Sequence, residues 1–487
     1  MPHQRRAGGP GRLARAFVSA LLSTRIGRGV GANVFAQAAM AAVQLIAVPI
    51  FATHWGLGLY GLWLMLFTVP SYLSLADFGF ATAAANSMTA SVAKGDHAGA
   101  LATFQGAWIS VTMITLALAG AAWGIVHFLP MGFFGEMTQA GGDTVRRTLL
   151  ELILYGLVSL QSGIFVGAFR CQGLYARGVF FNVLILVAEN SAAFVTAALG
   201  GGIADVALAY LIARLIGVVF VALQLRLSAP WLMVAAWRSS WASVRRLASP
   251  AIAVMAVPAA QATFLQGLVL IVGAAAGPAA VPAFTTVRTL SRLGVQAATT
   301  VNLALMPEFT MAVARGDLKR KADLLALNLV SSAGVLIPLF VLITALGTTV
   351  VPLWTHGTVR PGFALVLTMS LVMLLNGLWW PLANLVLALN RQAIYSYFYL
   401  ASALAAVALA WPLVLALGAT GAALSLLALD AVMLVCTAVQ ADRHAIVRFA
   451  ELEAAAGAIL AGRGRLAAPL KSAARSRAEP AGPDDPA

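Results

Sequence analysis

Charge is what this chain has least of. Only 10% of its 487 residues are Asp, Glu, Lys or Arg, against 61% hydrophobic. Soluble globular proteins carry about 25% charged and about 45–50% apolar residues. A water-soluble fold of this composition would leave much of its apolar surface in solvent, so soluble enzymes and disordered chains are excluded. Cysteine is scarce as well. Cys171 and Cys436 are the only two, which excludes a disulfide framework and a cysteine-built metal cluster. The sequence has no Walker A motif, so no ATP is hydrolysed through such a loop. Of six histidines only His127 falls within an apolar run, and no Cys/His group has metal-ligand spacing.

Long hydrophobic runs, in contrast, are abundant. A membrane-spanning helix needs about 20 mainly apolar residues. Twelve segments meet that length: 30–53, 59–87, 101–128, 149–169, 178–199, 203–225, 250–276, 280–309, 324–350, 362–389, 393–417 and 419–441. Glycine and proline punctuate the joints, at Gly56-Leu57-Gly58, Gly200-Gly201-Gly202, Gly277-Pro278 and Gly418 to Gly421. The expected class is an all-α integral membrane protein with about 12 transmembrane helices. With the N-terminus in the cytoplasm, 25 of the 31 Lys and Arg fall on the inner side, three outside and three within spans. That asymmetry follows the positive-inside rule. It accounts for the net charge of +14 without a nucleic-acid partner and places both termini in the cytoplasm. The expected organisation is a basic segment at 1–29, a six-helix lobe at 30–226, a linker at 227–249, a second six-helix lobe at 250–441 and a tail at 442–487. Within the tail, 445–462 reads as an amphipathic surface helix interrupted by Arg448, Glu451 and Glu453.

Two loops read alike. Ala90 to Asp96 (ASVAKGD) and Met311 to Asp317 (MAVARGD) are 221 residues apart. The same offset carries Gly56 onto Gly277 and the start of the first span onto that of the seventh. Six spans is an even number, so both halves enter the membrane in one orientation. This is a parallel repeat about an axis along the membrane normal, with the substrate site expected between the lobes.

Three motifs carry a resemblance. Trp55 to Trp63 (WGLGLYGLW) resembles the first outer loop of bacterial polysaccharide flippases. Ala76-Asp77-Phe78-Gly79-Phe80 is similar to their Asp-Leu-Gly-like motif, and the two Ala-x-Gly-Asp loops resemble their inner loops. These flippases belong to the multidrug/oligosaccharidyl-lipid/polysaccharide exporter superfamily. The resemblance implies two six-helix bundles in a MATE-like V shape in the bacterial inner membrane. It implies transfer of an undecaprenyl-pyrophosphate-linked oligosaccharide between leaflets by alternating access, for surface polysaccharide such as O-antigen. The implied partners are that lipid-linked oligosaccharide, membrane lipids and other polysaccharide-assembly proteins, and no organic cofactor. In related exporters a carboxylate placed like Asp77 takes a coupling proton or sodium ion. The plainer role for Asp77 is a hydrogen-bonding cap in a kinked segment. Two other functions compete. A drug antiporter of the same superfamily would have a compact, more acidic or apolar cavity. A polymerase- or ligase-type enzyme would carry catalytic groups on a large external loop, whereas the longest such loop here, 129–148, has only Glu136 and Asp143 as acids.

An ionisable side chain within hydrocarbon costs about 2.5–3.5 kcal/mol on insertion scales, and so faces a partner or a wet cavity. Glu189 and Arg214 lie on consecutive spans, each about a dozen residues from the turn at Gly201. They are expected to pair and lock the fifth and sixth spans. Arg292 and Asp430 sit at similar depth and form a second candidate pair. Arg288 and Arg292 are four residues apart, hence on one helix face. They have at most one buried acid to share, so the excess positive charge points to a water-filled cavity between the lobes. With Asp77 and Asp430 they form the candidate substrate site, where the two arginines would cradle a pyrophosphate. Fastening the eighth span to its neighbours is the plainer alternative. Amides within spans, among them Gln37, Asn302, Asn376 and Asn384, suit sugar hydroxyls and equally glue helices together. Trp55, Tyr60, Trp63 and Trp354 fit an outer interfacial belt. Trp379 and Trp380 lie deeper, for lipid-facing packing or for stacking on a sugar ring.

Overall fold

Backbone polar groups inside a bilayer must be satisfied internally, and a helix does this within one segment. The computed structural model of the chain accordingly shows helices and, among the described residues, no strand. It describes residues 25–73, 80–128, 141–233, 256–314, 318–388, 392–443 and 449–460. Asp77, most of the basic segment, most of the linker and the end of the tail lie outside these residues.

The first lobe comprises α1 (Arg25–Leu66), α2 (Thr68–Leu73), α3 (Phe80–Ala93), α4 (His97–Phe128), α5 (Gly142–Cys171), α6 (Tyr175–Ala198) and α7 (Ile203–Ser228). The second comprises α8 (Ala256–Ala276), a 3-10 turn (Pro278–Ala280), α9 (Val281–Ala314), α10 (Leu318–Trp354), α11 (Phe363–Ala388), α12 (Gln392–Leu417) and α13 (Ala419–Arg443). A short α14 (Phe449–Leu460) then packs on α10. At 12 residues it is about 18 Å long, too short to cross a bilayer.

The twelve expected spans are helical over nearly all their described residues, the exceptions being Phe67, Leu199 and Gly362. Nine described helices are long and apolar enough to cross a membrane by length and composition alone. The shortfall has several causes. The second span is divided among the end of α1, α2 and α3, and the first span of the second lobe, expected at 250–276, is described only from Ala256. Helix α9 carries Arg288, Arg292, Gln296 and Asn302, which lower its hydropathy. On α7 the two faces separate cleanly. Ile216, Val219 and Leu223 are exposed, while Arg214, Gly217, Val221 and Leu225 are buried. An apolar exposed face opposite a buried one is what a lipid-facing helix presents.

Each lobe has its own apolar core. Leu152, Ile164 and Phe104 belong to the first, Phe284, Met369 and Trp379 to the second. The repeat is visible in the backbone. Gly56 (φ 68°, ψ 174°) and Gly277 (φ 87°, ψ 155°) adopt the same unusual conformation 221 residues apart. Gly56 breaks α1 into two helices at the expected joint. The turns at Gly56, Gly200, Gly277 and Gly418 all use positive φ, and they share the cation-poor end of the molecule.

The lobes meet in that half. The 3-10 turn lies against α1 so closely that a methyl group on Gly61 would overlap the Pro278 carbonyl. Trp354 Nε1 donates to the Leu45 carbonyl at 2.9 Å. Met65 of α1 sits within the second lobe's core, opposite Gly273. Tyr60 and Trp63, expected in an interfacial belt, are instead buried in the first lobe's core among Phe51, Trp55 and Phe67. Their rings fill the inside of α1, which a hydropathy reading cannot distinguish from its lipid side.

Candidate functional site

The site is built around one face of α9. Thr285, Arg288, Arg292, Gln296, Thr299 and Asn302 recur at three- and four-residue intervals and form one polar stripe. All six line cavities. The first cavity, about 360 Å³, lies between the lobes. It is bounded by Gln44, Tyr155, Glu189 and Asn190 on one side and by Gln266, Arg288 and Arg292 on the other. The second, about 460 Å³, reaches into the second lobe and shares Arg288 and Arg292 with the first. It extends to Gln261 and Asn384 near the cation-rich end. The lobes are thus joined at the cation-poor end, and their cavities extend toward the other.

The two arginines are not equivalent. Arg288 Nη1 donates to the Leu265 carbonyl of α8 at 2.7 Å, and its guanidinium stands 5.1 Å from the Phe284 ring centre. Arg292 makes no hydrogen bond or ion pair among the described residues. Its side chain is exposed to the cavity. Of the expected cradle, Arg288 is therefore held by protein and Arg292 stands open to a ligand.

Arg292 and Asp430 border the same cavity but form no ion pair. Asp430 Oδ1 instead accepts from Asn376 Nδ2 at 2.9 Å and Trp379 Nε1 at 2.8 Å. Equal depth did not bring the two charges together, because Asp430 on α13 turns toward α11. Glu189 and Arg214 do meet. Arg214 Nη2 donates to Glu189 Oε1 at 2.7 Å, with Oε2 also at 2.7 Å. Tyr155 of α5 completes this cluster: it accepts from Arg214 at 3.2 Å and donates to Glu189 at 3.1 Å. The pair separates two spaces. Glu189 borders the inter-lobe cavity, while Arg214 borders a cavity of about 530 Å³ in the first lobe that also reaches Arg170 and Tyr175.

These clusters are related by the repeat. Counting spans, Tyr155 and Asn376 are each the fourteenth residue of the helix that forms the fourth span of their lobe, α5 and α11. Arg214 and Asp430 are each the twelfth residue of the sixth. In both lobes these two positions are joined by a hydrogen bond. The sequence reading missed this match, since the sixth helices are offset by 216 residues rather than 221 and the residue types differ. It also missed Gln261 and Gln296 as cavity residues, although the spacing of the α9 stripe carried the signal for Gln296. Trp379 is fully buried and Trp380 lines the second cavity, so lipid-facing packing is corrected for both. Asp77 lies outside the described residues.

Neither a protein-family model nor a curated protein sequence matches this chain. Solved structures do. An inward-facing multidrug resistance MATE family transporter of the MOP superfamily matches with TM-score 0.67 and 14% identity, over 83% of this chain and 94% of that one. The lipid II flippase MurJ, in an inward closed conformation, matches with TM-score 0.67 and 12% identity, over 87% and 89%. An outward-facing MATE transporter matches at 0.59 with 14% identity, over 88% and 97%. The chain is an all-α membrane protein with the fold of these transporters and this flippase.

Proposed function

We propose that this chain is a membrane transporter that flips a pyrophosphate-linked lipid oligosaccharide, by alternating exposure of the cavity between its lobes. One observation carries the reading. Arg292 is a guanidinium with no partner among the described residues, inside a cavity of a membrane protein and one helical turn from a second guanidinium. Such a charge is costly unless water or an anion meets it. A pyrophosphate presents closely spaced anionic oxygens, which a guanidinium fork matches bidentately. The likeness to a lipid II flippase supports a lipid-linked cargo. A drug antiporter, the second reading, shares the fold. A cationic drug would need an available carboxylate, yet of the two described acids that line these cavities Glu189 is held by Arg214 and Tyr155, and Asp430 by Asn376 and Trp379.

The test is complementation in a strain lacking its own flippase, reading surface polysaccharide against membrane protein level. Arg292→Ala abolishes export at normal protein level. Arg292→Lys keeps part of it, since charge remains and the fork is lost. Arg288→Ala lowers both export and protein level, because Arg288 also ties α9 to α8. Normal export from Arg292→Ala overturns the reading.

A further inference from the structure

The cavity in the second lobe has a lining that an anion alone does not require. Gln261 and Asn384 stand at its cation-rich side, and neither amide has a hydrogen-bond partner among the described residues. Trp380 stacks on Trp379 at 4.8 Å with 17° between planes, which fixes the ring. The Trp380 indole N–H has no partner among the described residues. Asp430, the acid bordering this cavity, is engaged by Asn376 and Trp379.

Unpaired amides offer a donor and an acceptor side by side, as vicinal hydroxyls and acetamido groups demand. A fixed indole offers an apolar face with a polar edge, as the C–H face and ring hydroxyls of a sugar demand. A volume of about 460 Å³ falls in the roughly 300–1,000 Å³ range of small-ligand clefts. It suits the sugars nearest the lipid, not a long polymer. Arg292 borders both this cavity and the inter-lobe one.

We infer that the second-lobe cavity is a saccharide subsite, and that Gln261, Asn384 and Trp380 select the uncharged sugar attached to the pyrophosphate at Arg292. This rests on the flippase reading above and adds to it the location of sugar selectivity. The full chain, purified in detergent, is titrated calorimetrically with citronellyl pyrophosphate and with the same lipid bearing each of a panel of neutral mono- and disaccharides. At least one saccharide raises affinity tenfold or more over the bare pyrophosphate. Gln261→Leu, Asn384→Leu and Trp380→Leu each remove most of that gain and leave binding of the bare pyrophosphate unchanged. Arg292→Ala weakens bare and sugar-bearing ligands alike. Where a leucine variant loses its fold, the alanine variant at the same position reads the same gain. No gain with any saccharide, or a gain that survives all three changes, overturns the subsite while leaving the anion site standing. If bare pyrophosphate fails to bind the unaltered protein, the reading of Arg292 falls. Methyl glycosides of the same sugars, tested against the same variants, then decide the subsite independently.

Discussion

Arg214 and Asp430 occupy the same position in their two lobes, one a cationic and one an acidic residue, and each lobe satisfies its own differently. In the first lobe, Glu189 supplies the counter-charge and Tyr155 bridges both partners. In the second, neutral donors suffice, from Asn376 and Trp379. Removing one partner of a buried ion pair strands the other and typically costs about 3–5 kcal/mol. Glu189→Ala and Arg214→Ala are each expected to destabilise by that amount, read as a lower melting temperature in detergent. Tyr155→Phe keeps the ion pair and is expected to cost only about 1 kcal/mol. Melting of both alanine variants at the unaltered temperature would show that the pair holds nothing together. The ion pair was legible in the sequence because consecutive antiparallel helices fix depth from a shared turn. Tyr155, Asn376 and Trp379 were not, because depth says nothing about which way a helix is rotated. The failed pairing of Arg292 with Asp430 has the same cause.

Among the elements, spans announce themselves by length and apolarity, and all twelve expected segments are helical over nearly all their described residues. What hydropathy could not give was the inside of each helix. Tyr60 and Trp63 look like interfacial aromatics in sequence, and Trp379 like a lipid-facing one, yet all three are buried. Helix α9 is the opposite case. Its polar residues fall at helical intervals, so its cavity face could be read from periodicity alone. The joints show a further regularity. Gly56 and Gly277 hold φ of 68° and 87°, a region where a side chain is strained. At each, a Cβ would meet no other atom within 4 Å. Any penalty from Gly56→Ala or Gly277→Ala is therefore one of backbone conformation, about 1–3 kcal/mol, and similar at the two sites because the repeat gives them one geometry. Gly61→Ala is expected to cost more. Its methyl would strike the Pro278 backbone, which moves only if the 3-10 turn moves. Thermal unfolding of the three variants would check this ranking, and an effect confined to Gly56 would argue against equivalent joints.

At the scale of the whole molecule, the two lobes touch through α1, α2, α8, α9 and the 3-10 turn, chiefly in the cation-poor half. Each lobe has its own core apart from a few exchanged residues, Met65 in the second and Val351 and Val359 in the first, so parting the contact withdraws these and leaves the rest of both cores packed. If transport needs the cavity to open at both ends in turn, fixing this contact must stop it. Met65 and Gly273 are suited to the purpose. Met65 Cγ stands 2.9 Å from where a Cβ on Gly273 would lie, so the two Cβ positions fall near the roughly 3.5–4.5 Å that a disulfide spans. The lock is built as Met65→Cys with Gly273→Cys, in a background where Cys171 and Cys436 are replaced by serine. Oxidation is expected to join the two cysteines readily, at normal protein level, and to reduce polysaccharide export at least tenfold. A reducing agent restores export, which separates a locked contact from a damaged lobe. Each single-cysteine variant serves as the control for the substitution itself and is expected to be insensitive to oxidant. Undiminished export with the disulfide fully formed would mean that the lobes do not separate here during transport, and the alternating-access reading would fall with it.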